Sequence, residues 1–329
     1  SSRVKLKHVV IGVGAGVLEM HRPALELATV DLVGASDLNA TLGQKKASEL
    51  GCPFFADYKE MLTVTKPDVA VILVPHPFHA AIAIDCLNAG THVLVEKPMA
   101  VHITEADAMI ATAKANKKYL AVSFQQRFRP EVRAAFDILR SGQLGKLQHV
   151  DMRINWFRTR AYFELGSWRA TWLGEGGGVL MNQGIHDLDM LCYLLGSPQR
   201  LFAWTRTHLH SIEVEDTVQA MLEWEDGCMG SFHTSTAEAG FTDALELIGT
   251  KGTLRVTPGE LSGNVFDVPL ETLIRESKNA WEKPTMKPRA AIPLEGKGGH
   301  VSVYQHVHAA ILKAEPLFIS GEEARKSLE

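Results

Sequence analysis

The sequence has little cysteine, no excess of basic residues and no long hydrophobic run. Its four cysteines lie far apart without a CxxC pair, which indicates neither a metal knuckle nor a disulfide framework. The net charge of -4 lacks the basic excess that a nucleic-acid-binding surface normally shows. No run reaches the roughly 18 apolar residues of a membrane span, and the first residues lack the apolar stretch and cleavage site of a secretory signal. We therefore expect a cytoplasmic protein with reduced thiols, no metal, and no nucleic-acid or membrane partner.

The composition is that of a globular protein with more than one domain. Hydrophobic residues make up 46% of the chain and charged residues 22%. Because 329 residues exceed what one ordinary hydrophobic core organises, two domains are expected.

The first third alternates apolar runs with helical segments. Runs rich in Val, Ile and Leu are typical of strands that are buried on both faces of a parallel sheet, with helices as the crossovers. Five such runs follow one another: KHVVIGVG, VDLVGASD, DVAVILVP, THVLVEKP and YLAVSFQQ. They predict a doubly wound parallel sheet.

From about residue 128 the pattern changes. Apolar residues recur at every second position in long segments such as GKLQHVDMRINWF and EDTVQAMLEWED, which indicates an antiparallel sheet with one covered face. The segment QGIHDLDMLCYLLGS has the spacing of an amphipathic helix. The stretch 258–298 is rich in Pro, Gly and charge, and we expect it to be a long surface excursion.

A glycine turn, IGVGAGVLEM, ends the first strand. Gly12 and Gly14 would let backbone amides approach a pyrophosphate near a helix N-terminus. Asp37 ends the second strand, where an acid accepts ribose hydroxyls and repels the 2′-phosphate of NADP. Val17 stands where a third glycine usually packs, so a glycine turn without a ligand is the alternative. The strand before the turn and the helix after it favour an NAD site.

The fourth strand ends in Glu96-Lys97-Pro98. In an open α/β sheet, ligands bind at the carboxyl ends of the strands, so these two charged residues are expected to face the cofactor crevice. The alternative is a solvated ion pair followed by a proline that terminates the strand.

Several motifs, taken in order, resemble the Gfo/Idh/MocA oxidoreductases, a family named for glucose-fructose oxidoreductase and inositol 2-dehydrogenase. The motifs are the glycine turn, VPHPFHAAIAIDCLNAGTHVLVEKPMA, SFQQRFRP, SWRATW, GGGVLMNQGIHDLD, VEDTVQAMLEWEDG, LELIGTKGTL and GHVSVYQHVHAAI. The resemblance implies an N-terminal Rossmann domain and a C-terminal α/β domain with a large open, mainly antiparallel sheet that pairs the chain into a homodimer or homotetramer. It also implies a nicotinamide cofactor and a sugar, cyclitol or related polyol as substrate.

The resemblance also predicts the domain boundaries. The Rossmann domain is expected to span residues 1–127, and the substrate-binding and oligomerisation domain 128–315. The segment 316–329 is expected to return to the first domain.

The resemblance places catalytic roles on three residues. Lys97 matches the family lysine that contacts the reacting hydroxyl, and the catalytic D-x-x-x-H pair falls on Asn182 and His186. An amide cannot take a proton, so His186 is left as the general base, with Lys97 as its partner or substitute. A buried structural histidine is the alternative for His186. On the same helix, Asp189 is expected to orient His186.

Further positions follow from the same resemblance. Asp187 is expected to face solvent. Substrate contacts are expected from Lys97, Arg127, Tyr162, Asn182 and His186. Cofactor contacts are expected from Gly12, Gly14, Ala15, Gly16, Val17, Asp37, Leu38, Val74, Pro75, His76, His79, Glu96, Lys97, Gln126, Trp168 and Arg169.

Two other functions stay open at this point. Some relatives keep NAD bound, oxidise the substrate transiently and reduce it again, so that the net reaction is elimination, hydrolysis or hydride exchange. A non-catalytic protein that senses NAD or a sugar is the second alternative, which the presence of Lys97 and His186 disfavours.

Overall fold

The computed structural model describes residues 4–166 and 169–329, which divide into two compact units. Of the described residues, the first unit comprises 4–125, 173–176 and 298–329, and the second comprises 126–166, 169–172 and 177–297. In chain order the strands and helices are β1 (Leu6–Ile11), α1 (Leu18–Leu25), β2 (Val30–Ser36), α2 (Ala40–Leu50), β3 (Phe54–Phe55), α3 (Tyr58–Thr65), β4 (Val69–Ile72), α4 (His79–Asn88), β5 (His92–Val95), α5 (Ile103–Asn116), β6 (Leu120–Val122), α6 (Pro130–Arg140), β7 (Leu147–Asn155), α7 (Arg160–Phe163), α8 (Trp172–Glu175), α9 (Val179–Asn182), α10 (Gly184–Leu195), β8 (Arg200–Arg206), β9 (Thr217–Glu223), β10 (Met229–Ser235), β11 (Ala244–Gly249), β12 (Gly252–Thr257), β13 (Glu260–Phe266), α11 (Leu270–Glu276), β14 (Met286–Pro288), α12 (Gly299–Lys313) and α13 (Gly321–Leu328).

The first unit is built on a parallel sheet. Its six strands lie in the order β3-β2-β1-β4-β5-β6, and every described pair runs parallel. Each residue of β4 is buried, as the continuous apolar runs of the sequence predict. The prediction of a doubly wound Rossmann sheet is confirmed. Because all six strands share one direction, their carboxyl ends meet at one edge, where the candidate cofactor residues that follow β1, β2, β4 and β5 are found.

The last part of the chain belongs to this first unit. Helix α12 packs against α1, and α13 packs against α5 and β6. Ser320 forms an isolated antiparallel bridge with Ala121 of the neighbouring strand. The first unit thus includes α12 as well as the segment 316–329, which the sequence analysis predicts to return to the first domain.

The second unit is built on an eight-stranded sheet in the order β14-β13-β12-β11-β7-β10-β9-β8. Only the β10–β7 pair is parallel among its described pairs, which confirms the predicted mainly antiparallel sheet. The stretch 258–298 is more regular than its composition suggested. It supplies β13, α11 and β14, and the two strands extend the sheet at one edge.

The two faces of this sheet differ. Helices α6 and α10 cover one face, with Val132, Ile138 and Leu191 packed on strand residues such as Met152 and Phe232. The other face is open, and all seven residues of β8 are exposed. The alternation of apolar and polar residues along β7 and β9 follows from this one-sided burial.

Candidate active site

The glycine turn between β1 and α1 is shaped by close backbone approach. Gly12 has a φ of +89°, and a Cβ placed on it would lie 2.8 Å from the backbone nitrogen of Val74. A Cβ on Gly14 would lie 2.9 Å from the Asp37 carboxylate. A Cβ on Gly16, by contrast, would meet nothing within 4 Å. Gly12 is therefore required here, because its φ is positive and a side chain would meet backbone, whereas a side chain at Gly14 would displace the Asp37 carboxylate and one at Gly16 would have space.

Asp37 lies one residue beyond β2 and is tied to the turn. Its Oδ2 accepts a hydrogen bond from the Gly14 amide at 2.8 Å, and its Oδ1 accepts one from the Asn39 amide at 2.8 Å. These contacts hold the carboxylate beside the amides that precede α1. Leu38, next to it, is 99% exposed. Ala15, Gly16 and Val17 complete the turn before α1, so the cradle fits a dinucleotide with its diphosphate at the turn and its adenosine ribose at Asp37.

The loop after β4 carries Val74, Pro75 and two buried histidines. The Nδ1 and Nε2 atoms of His79 lie 2.7 Å from the Pro98 carbonyl oxygen and 2.8 Å from the Val74 carbonyl oxygen. His79 therefore links this loop to the loop after β5. Burial lowers the pKa of His79, although its two carbonyl neighbours act in the opposite direction.

His76 lies in the same loop. Its Nδ1 atom is 3.2 Å from the Glu175 carbonyl oxygen. Burial, followed by the charges of His79 and Lys97, lowers the pKa of His76 to about 3. His76 is thus a neutral ring at neutral pH.

The end of β5 has a buried carboxylate followed by a half-buried lysine. Glu96 is 7% exposed, and Lys97 is joined to Pro98 by a cis peptide bond. The Glu96 carboxylate lies 2.5 Å from the Nε2 of His21 and 3.2 Å from the Nε2 of His300. The alternative of a solvated Glu-Lys pair is therefore wrong for Glu96.

In the second unit, Arg127 and Asp189 form a buried ion pair. The guanidinium Nε and Nη2 atoms donate to the two Asp189 oxygens at 2.6 Å each, and both side chains are at most 1% exposed. The Arg127 guanidinium also lies over the Tyr193 ring, 4.8 Å from its centroid. Arg127 as a substrate ligand stays a prediction, and its charge is already balanced by a partner that the sequence did not indicate.

Three polar side chains of the second unit converge on the Tyr162 hydroxyl. Arg169 Nη1, Asn182 Nδ2 and Gln183 Nε2 donate to this oxygen at 2.7, 3.0 and 3.1 Å. The Arg169 guanidinium also lies 4.5 Å from the centroid of the Tyr162 ring. The sequence analysis predicts Tyr162 as a substrate contact, but nothing in the sequence indicates that its hydroxyl accepts from three neighbouring side chains.

His186 lies on α10 and is 5% exposed. Its ring stands 6.4 Å from the Trp156 ring, at an interplanar angle of 29°. The Trp156 indole donates to Asp187 Oδ2 at 2.7 Å, and Asp187 is 5% exposed. The expectation that Asp187 faces solvent is wrong, because Trp156 reaches over it from the end of β7.

Two predicted cofactor residues remain. The Gln126 side-chain oxygen accepts a hydrogen bond from Arg129 at 2.9 Å. Trp168 lies outside the described residues.

Both halves of the chain match known proteins. Residues 6–124 match the GFO_IDH_MocA model, described as an oxidoreductase family with an NAD-binding Rossmann fold, and residues 132–255 match the GFO/IDH/MocA C-terminal domain. The two matches take in well over half of the chain. They confirm NAD as the predicted cofactor and an oxidoreductase family as the predicted class.

Two curated proteins and one solved structure illustrate the similarity. Trans-1,2-dihydrobenzene-1,2-diol dehydrogenase of Mus musculus is 31% identical over 228 residues, which are 68% of this chain and 65% of that protein. The 1-carboxy-3-chloro-3,4-dihydroxycyclohexa-1,5-diene dehydrogenase of Comamonas testosteroni is 35% identical over 189 residues, 55% of this chain and 45% of that protein. The chain thus spans less than two thirds of the length of either protein.

The solved structure is the WlbA dehydrogenase of Bordetella pertussis in complex with NADH and UDP-GlcNAcA. It superposes with a TM-score of 0.85 at 25% identity, and the match covers 100% of this chain and 93% of that one. Within residues 4–166 and 169–329, we find no helix with the length and apolar character that crossing a membrane requires.

Proposed function

The chain belongs to the GFO/IDH/MocA oxidoreductase family, and on that premise we propose that it transfers a hydride between NAD and a secondary alcohol of a sugar, cyclitol or related polyol. One observation carries the choice of substrate. Neutral amide donors of Asn182 and Gln183, with Arg169, surround the Tyr162 hydroxyl near the start of the helix that carries His186. Such a set of hydrogen-bonding groups suits a ligand with several hydroxyls.

In this proposal the chain binds the cofactor through its first unit. The glycine turn, at the N-terminus of α1, holds the diphosphate, and the Asp37 carboxylate accepts the ribose hydroxyls. NAD, when bound, supplies a hydride acceptor at C4 of its nicotinamide ring.

The remaining residues orient the alcohol and move its proton. His186 takes the hydroxyl proton as general base, and the Lys97 ammonium donates to the same oxygen. Asn182 and Tyr162 bind neighbouring hydroxyls. The same groups serve the reverse reaction, since a base that accepts a proton in oxidation returns it in reduction.

The names of the relatives narrow the substrate class. Those of the mouse and Comamonas proteins describe rings with two adjacent hydroxyls, and the Bordetella structure holds a nucleotide sugar. We therefore propose a ring that bears adjacent hydroxyls as the substrate.

A substrate screen tests this function. Cyclic trans-diols, cyclitols, free aldoses and nucleotide sugars would each be incubated with NAD and, separately, with NADP, while the NADH absorbance band is followed. We expect NADH from at least one ring class and a weaker response with NADP, and Lys97→Met serves as the inactive control. If a compound is converted without release of NADH, the enzyme is redox-neutral. If the protein binds NAD but converts none of these classes, the proposal fails.

The open face of the eight-stranded sheet is the surface we propose for a second copy of the chain. Phe202 and Trp204 of β8 share this face with Met221 and Met229, and each is more than half exposed. Isolated exposed apolar side chains are ordinary, whereas a contiguous group on one face marks an interface. Arg200 pairs with Glu223 at 2.6 Å on the same face, so the surface offers both charges to an identical copy.

Sedimentation measures this assembly directly. Phe202→Ser/Trp204→Ser is expected to give monomers where the native chain gives a dimer or tetramer. Trp281→Ser is the matched control, because Trp281 is 87% exposed but lies between α11 and β14, outside the sheet strands. An unchanged assembly in the double variant would refute this interface.

A further inference from the structure

The Glu96 carboxylate is a buried anion with three hydrogen-bond donors. Its Oε1 lies 2.5 Å from His21 Nε2 and 3.2 Å from His300 Nε2, and its Oε2 accepts the backbone amide of Lys97 at 3.2 Å. His21, Glu96 and His300 are all less than 9% exposed. A buried carboxylate without donors would be strongly destabilising, so these three bonds decide whether Glu96 can be charged here.

The hydrogen-bond partners indicate the protonation states of His21, Tyr304 and Glu96. Tyr304 Oη lies 2.8 Å from His21 Nδ1, so a neutral His21 accepts from the tyrosine and donates to Glu96 through Nε2. Burial lowers the pKa of His21 and raises that of Tyr304, which keeps the ring neutral and the hydroxyl protonated. Burial alone would raise the pKa of Glu96, but the hydrogen bonds from His21 and His300 outweigh it and hold that pKa well below its usual value. The cluster therefore holds a negative charge at Glu96.

Three distant segments meet at this carboxylate. His21 lies on α1, directly after the glycine turn, and is 75 residues from Glu96 in the sequence. His300 lies at the start of α12, 204 residues from Glu96. Glu96 itself follows β5 and its amide donates to the Ile72 carbonyl of β4 at 3.0 Å. The residue before Lys97 is thus fixed from two helices and a neighbouring strand.

A metal ion explains this cluster less well than hydrogen bonds do. The possible ligand atoms of His21, Glu96 and His300 lie within 4.8 Å of one another. However, His21 Nε2 and Glu96 Oε1 are only 2.5 Å apart. Two ligands of one zinc ion, each bound at about 2.0–2.1 Å in a tetrahedral site, stand roughly 3.3 Å apart. The contact fits a hydrogen bond from His21 to Glu96 and not a pair of ligands on one ion.

We propose that His21 and His300 are positioning residues for Lys97, which they hold in place through the Glu96 carboxylate. This inference rests on the proposed catalytic role of Lys97. Two consequences follow. Helix α1, after the cofactor turn, is linked through His21 to Glu96, the residue before the lysine. Helix α12, which carries His300, becomes necessary for turnover although no proposed substrate or cofactor contact lies on it.

Paired substitutions separate a hydrogen-bonding role from a packing role. His300→Leu and His21→Leu keep a comparable apolar volume but remove the donor to Glu96, whereas His300→Gln and His21→Gln retain an N–H. We expect kcat to fall by about 10-fold or more in the leucine variants, with the Kd for NAD within about 3-fold of the native value. The glutamine variants should recover most of the lost kcat.

The matched control is His308→Leu. His308 lies on the same helix as His300 and is 5% exposed, but its ring nitrogens contact Thr29 Oγ1 and His8 Nε2, each at 3.1 Å. The His308→Leu variant should have a lower melting temperature than the native chain but an unchanged kcat. If His300→Leu behaves like His308→Leu, with lost stability but native kcat, the positioning role is refuted. A stoichiometric metal in the purified protein that is lost in His300→Leu would also overturn it.

A second measurement does not depend on activity. Reductive methylation with ¹³C-formaldehyde labels the lysines, and the resonance that is missing in Lys97→Met reports on Lys97. In His300→Leu and Glu96→Gln we expect this resonance to shift or broaden at constant pH, and in His308→Leu to stay in place. An unmoved resonance in all three variants contradicts the link. Full turnover in Lys97→Met would instead refute the proposed catalytic role of Lys97, while the resonance still tests its connection to the histidines.

Discussion

The two units hold their candidate residues in different ways. In the first unit a buried charge, Glu96, is fixed by His21 and His300 across sequence separations of 75 and 204 residues. In the second unit the Tyr162 hydroxyl accepts hydrogen bonds from side chains only 7 to 21 residues away. The first arrangement depends on the whole fold of its unit, whereas the second depends mainly on a local segment.

This difference matches what each unit is proposed to bind. Removing one partner of a buried charge strongly destabilises the folded protein, so we expect substitutions in the Glu96 cluster to be poorly tolerated. The donors around the Tyr162 hydroxyl, two amides and the Arg169 guanidinium, can be replaced one at a time, and a neutral hydrogen bond lost in this way costs about 1 kcal/mol. We infer that the first unit suits an invariant cofactor and a fixed lysine, and that the second can be adapted to different rings by substitutions near Tyr162.

The largest expected effect tests whether the two units serve one reaction. Lys97→Met keeps much of the side-chain stem but removes every donor, and His186→Ala removes the proposed base. Each should lower kcat on the order of 100-fold or more while NAD binding persists, as expected for loss of an acid-base group. The double variant should lose less than the product of the two effects, because groups that act together are not additive. Native turnover in both single variants would show that neither residue takes part in the chemistry.

The next effect concerns cofactor choice in the first unit. Asp37→Ala removes the carboxylate that the Gly14 and Asn39 amides hold in place. Because a hydrogen bond to a charged group contributes about 1.5–3 kcal/mol, the Kd for NAD should rise about 10- to 100-fold, with a smaller change for NADP. Fluorescence titration with both cofactors measures this, and Asn39→Ala is the control for the turn. A native enzyme that binds NADP more tightly than NAD would contradict the role of Asp37.

Sequence reasoning reached the features that local patterns encode. The parallel sheet follows from continuous apolar runs, and the antiparallel sheet follows from period-2 alternation. The close approach of Gly12 and Gly14 follows from a strand–glycine–helix order. In each case the information lies within one segment, which is why a single sequence suffices.

The partners of the site residues could not be predicted in the same way. His21 and His300 stand in segments whose patterns show only helices, and nothing nearby indicates that both reach Glu96. Asp187 was wrongly expected to face solvent, because its cover, Trp156, comes from β7. Asp189 likewise forms an ion pair with Arg127, which is 62 residues away in the sequence. Such contacts arise from tertiary packing, although buried histidines in a unit with a strand-end carboxylate are a signal worth following.

A smaller effect on substrate binding is expected from a substitution at Tyr162 in the second unit. Tyr162→Phe keeps the ring but removes the oxygen to which Arg169, Asn182 and Gln183 donate. Since loss of the one hydrogen bond that this hydroxyl is proposed to make to the ring substrate costs about 1 kcal/mol, we expect the KM for that substrate to rise about 5- to 10-fold, with kcat and NAD binding changed less. Phe163→Leu, one residue on, controls for packing. If kcat falls as much as in Lys97→Met while KM is unchanged, Tyr162 takes part in the reaction step itself. The interpretation that residues near Tyr162 only bind the substrate would then be wrong.

The smallest expected effect is the loss of stability of the first unit at acid pH. His8 and His308 are buried, and their Nε2 atoms lie 3.1 Å apart. Burial lowers the pKa of each ring from 6.5 to about 4. Between these two values the unfolded chain binds protons that the folded chain does not, so the stability that is fully present above pH 6.5 is lost as the pH falls toward 4.

At pH 5 the loss through His8 alone is on the order of 2 kcal/mol. The free energy of unfolding should therefore differ less between pH 7.5 and pH 5 in the double variant His8→Leu/His308→Leu than in the native chain, because both titrating rings are replaced by apolar groups. His149→Leu, which removes an exposed histidine of the second unit, should keep the full native difference. If the double variant loses as much stability in acid as the native chain does, the acid sensitivity of the first unit comes from other groups, and the histidine cluster around Glu96 is the next to test.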